Sequence, residues 1–127
     1  MIRRKYGNKT VEIDGHKFDS RKEAKYYLYL RQLEKDGVIR DLRMQVPFEI
    51  VPAIHETQTI HLKTKDKTVE KCIQPAVHYL ADFVYTVVDT GKEEVVDVKS
   101  EATRKDKVYV LKKKMMRAFN GISIVEV

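Results

Sequence analysis

The chain has 127 residues, 43% of them hydrophobic and 35% charged, and carries a net charge of +6 from 25 Lys+Arg against 19 Asp+Glu. That length predicts a single domain over residues 1–127 with a modest core, and the composition is that of a globular protein with a heavily charged surface drawn towards polyanions. No apolar run reaches the length of a membrane span, no apolar stretch follows Met1-Ile2-Arg3-Arg4-Lys5 to act as a signal peptide, and the lone Cys72 excludes an internal disulfide, so the expectation is a cytoplasmic protein with no membrane partner.

Residues 1–15 read as a basic N-terminal arm with Arg3, Arg4, Lys5 and Lys9, either a flexible tail or a phosphate contact. The first helix starts near Asp19 or Ser20, runs to Lys35 or Asp36 and stops at Gly37, with Tyr26, Tyr27, Leu30 and Leu33 on its inward stripe. Glu23 falls on that stripe. Ser20-x-x-Glu23 has capping-box spacing, so the carboxylate either bonds back to the helix start or is aimed at a site in the core.

From Leu42 to Val51 apolar residues alternate as in a strand, and Pro47 argues for an edge or irregular position. Gln45 lies on the face opposite to the apolar set, as a surface polar residue or a DNA contact. Residues 54–74 form two polar runs, Thr57 to Leu62 and Thr68 to Ile73, read as an inserted β-hairpin that contacts DNA or a second subunit. Cys72 sits among His55, His61 and His78 without paired-ligand spacing, which argues against zinc.

Val77 to Val88 and Val95 to Val98 are nearly continuous apolar runs, the pattern of strands buried on both faces. Asp82, Asp97 and Lys99 interrupt this region. Asp97 and Lys99 share a face by period two; a turn at Asp89-Thr90-Gly91-Lys92 would set Val88 opposite Glu93 and Asp82 opposite Lys99. All three charged groups then gather on one face, where buried charges are costly unless paired or metal-bound. Two carboxylates and an ammonium make a site for a divalent cation and a phosphate.

A second helix is predicted from Thr103 or Arg104 to Phe119, with Val108, Leu111, Met115 and Phe119 as its core stripe. Arg104, Lys105, Lys107, Lys112 and Lys114 follow the Asp-x-Lys strand directly, which favours phosphate contact over a merely solvated face. Asn120-Gly121 ends the helix, and Ile122 to Val127 returns as a strand parallel to and near the Asp97 strand. The predicted order is α-β-β-β-α-β in a mixed α/β sheet.

Four blocks in order resemble the PD-(D/E)XK nuclease superfamily, whose core has that element order: Phe18-Asp19-Ser20-x-x-Glu23-Ala24, Gly37-Val38-Ile39-x-x-Leu42-x-x-Gln45-Val46-x-Phe48, Ala81-Asp82-Phe83 and Val96-Asp97-Val98-Lys99. Ala81 stands where the name-giving Pro would be. The blocks span roughly residues 16 to 127 and look like a small phage-encoded branch associated with recombination and Holliday-junction resolution.

The resemblance implies a restriction-endonuclease-like fold and a Mg²⁺-dependent endodeoxyribonuclease, with Mn²⁺ as a substitute, acting in the host cytoplasm. It implies Asp82, Asp97 and the Val98 carbonyl as metal ligands, Glu23 as a further ligand through water or to a second ion, and Lys99 as the group that orients the attacking water. It also implies branched DNA as substrate and, from the symmetry of a four-way junction, a homodimer. A nuclease that cuts or nicks duplex without junction preference and a non-catalytic DNA-binding protein remain the alternatives.

Overall fold

The computed structural model of the chain describes residues 10–127. Arg3, Arg4, Lys5 and Lys9 therefore lie outside the described residues. The expected arm over residues 1–15 is corrected at its far end: Val11–Ile13 (β1) and His16–Phe18 (β2) pair antiparallel around Asp14-Gly15, both with positive φ. Val11 and Ile13 pack against the core beneath Arg21–Lys35 (α1).

α1 begins and ends where its signals placed it. Ser20 Oγ accepts the Glu23 N–H at 3.1 Å, Asp36 closes the last turn, and Gly37 leaves at φ 76, in the left-handed region that glycine tolerates best. Ala24, Tyr27 and Leu30 are buried and Tyr26 and Leu33 half-buried, as the stripe predicts.

The principal sheet is mixed, and the fold is α+β and rich in strands. Ile39–Val51 (β3) lies at one edge, antiparallel to Val77–Val87 (β6); β6 pairs antiparallel with Glu93–Asp97 (β7), and β7 pairs parallel with Val125–Glu126 (β8) at the other edge. Pro47 is tolerated because β3 is an edge strand. β3 is irregular at Asp41 and Gln45, both at positive φ, and its register slips between Arg40 and Arg43.

Both faces of the sheet are covered. Phe83 and Val96 pack with Phe18, Ala24, Tyr27 and Leu30 of the α1 layer, while Val84 and Val95 pack with Met116 of Lys107–Asn120 (α3) and with Ile124. This explains why β6 and β7 read as near-continuous apolar runs.

Ile54–His61 (β4) and Asp66–Gln74 (β5) form a separate two-stranded ribbon whose contacts are chiefly with each other. It prolongs the β3–β6 ribbon beyond a break at Pro52-Ala53 in one strand and Pro75-Ala76 in the other. Only Gln58 and Val69 within it are even partly buried. The inserted hairpin is thus an arm that stands away from the core.

The single second helix is corrected to two. Glu101–Arg104 (α2) is capped by Ser100, and α3 restarts behind Asp106, whose carboxylate accepts the Val108 and Tyr109 N–H groups at 2.8 and 3.3 Å. The core stripe is corrected with it. Tyr109 and Met116 face the sheet, whereas Val108, Leu111 and Phe119 are 62%, 56% and 63% exposed. The sequence holds two apolar stripes at helical spacing, and the one that packs includes the polar-tipped Tyr109.

Phe83 is completely buried between α1 and the sheet. Phe83→Ala should lower unfolding free energy by about 3–5 kcal/mol in a denaturant titration, while Leu28→Ala, at an exposed position on α1, should change it by no more than about 0.5 kcal/mol.

Candidate active site

β6 and β7 keep their ladder as far as Phe83 opposite Val96. Beyond that pair carboxylates stand in for backbone partners: Asp97 Oδ1 accepts the Asp82 N–H at 3.0 Å and Asp82 Oδ2 accepts the Val98 N–H at 2.9 Å. Asp82 is thereby level with Asp97, so the expected pairing of Asp82 with Lys99 is corrected by two residues. The four-residue turn falls one position earlier than expected, at Val88-Asp89-Thr90-Gly91: Val87 N–H reaches Lys92 O, Gly91 N–H reaches Val87 O, and Val88 N–H bonds outward to Val38. A shift of two preserves parity, so the two carboxylates and the lysine still gather at the same strand ends.

The strand after Asp97 is held from its other side. Val127 N–H donates to Asp97 O at 2.9 Å and Lys99 N–H donates to Val127 O at 3.1 Å, which carries the parallel pairing past Asp97 to Lys99. Asp97 is fully buried, and its Oδ2 has no hydrogen-bond partner among the described residues. An unpaired buried carboxylate oxygen costs free energy, which makes it an open valence for a cation or a proton.

A cleft of about 290 Å³ opens beside these strand ends. Glu23, Asp82, Val98 and Lys99 line it together with Asp19, Lys22 and Thr103. Glu23 does not complete a capping box; its Oε1 accepts Gln45 Nε2 at 3.0 Å, and the same nitrogen lies 3.4 Å from Asp82 Oδ1. The unusual backbone at Gln45, φ 51, belongs to the residue whose amide joins the two carboxylates. Lys22 Nζ donates to the Lys99 carbonyl at 3.1 Å, tying α1 to the end of β7.

Lys99 Nζ lies 5.2 Å from the centroid of the Tyr109 ring, a cation–π distance. Glu126, beside Asp97 on β8, pairs with Lys113 and with Arg104 Nε at 3.7 Å. Burial and the Glu126 carboxylate push the Tyr109 hydroxyl up.

The electrostatics follow from packing several carboxylates into one half-buried corner. Glu23 is pushed up to about 7, first by burial and then by the charges of Asp82 and Asp19, with Lys99 opposing. Asp82 and Asp97 are raised as well, chiefly by burial, against the pull of the Val98 and Asp82 N–H groups and of Lys99. Excess negative potential is what a cation relieves. Among the described residues no group of three His, Cys, Asp or Glu side chains is placed to hold a metal ion. The acidic groups that meet here, Glu23, Asp82 and Asp97, offer oxygen donors only.

The structure thus brings Glu23, Asp82, Asp97, Lys99 and Val98 together and adds Gln45 to them. It separates most of the other proposed DNA contacts from this cluster: Arg104 pairs with Glu126, while Lys105, Lys107 and Lys114 ring a surface depression and Lys112 is half-buried on α3. Lys22 and Glu126 are site residues that the sequence alone did not single out. Lys22 adjoins Glu23 in the first turn of α1, and Glu126 is a charge at the same period-two parity as the apolar Ile122 and Ile124.

These features define a strand-rich α+β domain with a carboxylate–lysine cleft at the open end of a mixed sheet. The chain belongs to the family described as Protein of unknown function (DUF1064), whose model matches residues 3–124. Neither the comparison with curated proteins nor that with solved structures gives a match.

The raised carboxyls fix a pH dependence. Glu23 holds its proton up to about 7 in the folded chain and releases it near 4.5 when unfolded, so the folded state binds more protons between those values and loses stability as pH rises through them. In the presence of a chelator, thermal melts should show the stabilising effect of Glu23→Gln growing from pH 4.5 to 7 and levelling off above; a pH-independent difference would contradict the placement of Glu23.

Proposed function

We propose that the chain is a divalent-cation-dependent endodeoxyribonuclease of the PD-(D/E)XK kind, with a restriction-endonuclease-like core, acting on branched DNA such as four-way junctions in phage-type recombination. One observation carries the chemistry: Asp82 and Asp97 are locked into the ladder by backbone N–H groups, Asp82 opens with Lys99 and Glu23 onto a single cleft, and Asp97, buried beside Asp82, keeps one oxygen without a partner among the described residues. The four sequence blocks supply the substrate, and the net charge of +6 supplies attraction to a polyanion.

Asp82 and Asp97 would hold the ion, with the Val98 carbonyl completing the protein ligands and Glu23 reaching it through water. A bound Mg²⁺, or Mn²⁺ in its place, supplies positive charge to the phosphate and acidifies water near neutral pH. The chain's own groups do the rest. Lys99 sets an ammonium where negative charge grows on the phosphate and orients the attacking water. Glu23 lines the same cleft, where it would accept a proton from water held there. Gln45 keeps Glu23 and Asp82 facing the same space, and Lys22 offers a second cation at the mouth. Two such sites in a homodimer would match the symmetry of a junction.

The test is cleavage of a four-way junction, a flap and a plain duplex of matched sequence with Mg²⁺ or Mn²⁺. Lys99→Ala should reduce the rate by roughly 10²–10³. Asp97→Ala should abolish Mg²⁺-dependent cutting while DNA binding persists or tightens, because a carboxylate near phosphates is removed. Equal rates on the three substrates would remove the junction preference; intact activity in Asp97→Ala would remove the site. Salt-sensitive binding without cleavage would leave a DNA-binding protein.

Binding itself should depend steeply on salt. With ~6 phosphate contacts, affinity for DNA should fall roughly a thousandfold between 50 and 200 mM monovalent salt, read by fluorescence anisotropy; a flat response would remove DNA as the partner.

A further inference from the structure

α3 presents two apolar faces, and the sheet uses one. The other contains Val108, Leu111, Met115 and Ala118, three and four residues apart in alternation, which is the seam spacing of a helix that packs against another helix. Phe119 extends the seam. Val108, Leu111, Ala118 and Phe119 are exposed and Met115 is half-buried against Met116 and its neighbours. A contiguous ridge of this kind on a small domain marks a contact surface.

The flanks of the ridge decide what it contacts. Lys107 and Lys114 lie along one side and Lys112 along the other, at the positions that set partner choice in paired helices. Lys105, Lys107 and Lys114 also rim a shallow depression of about 380 Å³ floored by Val110 and Leu111, with room for a side chain from a partner.

Self-association through this ridge is opposed by charge. Two copies of α3, in either orientation, would set lysine against lysine. α1, the chain's other long helix, exposes Arg21, Lys22, Lys25 and Lys35 around Leu28 and Tyr29 against the one exposed carboxylate of Asp36 at its end, so its flank is basic as well. Residues 1–9 contain Arg3, Arg4, Lys5 and Lys9 and no acidic residue. DNA would satisfy the lysines but leave the apolar seam against phosphates and water.

We propose that the outer ridge of α3 is the docking surface for an amphipathic helix of another protein, one whose apolar seam is flanked by Asp or Glu. The mode is helix against helix: the seam supplies affinity, and the three lysines select an acidic partner and exclude a second copy. This surface is separate from the cleft and does not depend on what the cleft does.

The experiment uses the full chain and defined probes. Two synthetic helical peptides carry the same Leu seam, one with Glu and one with Lys at the flanking positions; binding is followed by fluorescence anisotropy, with duplex DNA as competitor and sedimentation equilibrium of the chain alone. The Glu-flanked peptide should bind at least about tenfold more tightly than the Lys-flanked one. The uncharged changes Leu111→Ser and Phe119→Ser should each weaken it about tenfold or more, with melting temperatures within a few degrees of the parent because both sites are exposed. Reversing all three flanks in Lys107→Glu, Lys112→Glu, Lys114→Glu should invert the peptide preference.

Binding of the Glu peptide that ignores Leu111→Ser would reduce the surface to non-specific charge and overturn the proposal. So would equal affinity for both peptides, displacement of the Glu peptide by duplex DNA that persists in the serine variants, or a self-associated chain that Leu111→Ser dissociates.

Discussion

The site depends on a substitution of partners within the sheet. Where β6 and β7 would continue to exchange backbone hydrogen bonds, Asp82 and Asp97 exchange side chain for backbone instead, each carboxylate taking an N–H from the opposite strand. The strands can then diverge without leaving those donors unpaired. The same bonds that satisfy the backbone hold the two carboxylates side by side, which would otherwise repel. A charge cluster of this sort is unfavourable for stability by itself, and the raised values of Glu23, Asp82 and Asp97 express that cost.

The surrounding elements brace this opening from three directions. α1 contributes Glu23 and Lys22 from its first turns, fixed by the Ser20 cap. β3 contributes Gln45 through a backbone distortion on an edge strand, where a break in the ladder disturbs one neighbour only. From the far side Tyr109 and the Arg104–Glu126–Lys113 pairs pack behind Asp97 and Lys99. The β4–β5 arm takes no part in this bracing, which fits an insertion beyond the proline break rather than a core ribbon.

Much of the arrangement was legible in the sequence because it rests on periodicity and caps. α1, the edge position of β3, the doubly covered β6 and β7, and the convergence of Asp82, Asp97 and Lys99 all follow from such local rules. What was not legible came from competition between equal local signals. Residues 88 and 93 could close the hairpin as well as 86 and 93, and the choice is made by a distant bond from Val88 to Val38. In α3, Val108-Leu111-Met115-Phe119 is the more apolar stripe, yet Tyr109 and Met116 win because Asp106 starts the helix in that phase and Tyr109 has Tyr79 and Lys99 to meet. Whether Glu23 capped or faced the site was left open by spacing, and Gln45 decides it.

The backbone of Lys99 is fastened to Val127, so the lysine takes its place from a segment beyond α3 and not from the β6–β7 hairpin that carries the two aspartates. The carboxylate pair and the ammonium therefore answer to different parts of the fold, and a change that loosens the chain around Val127 would move the cation while leaving the paired acids where they are.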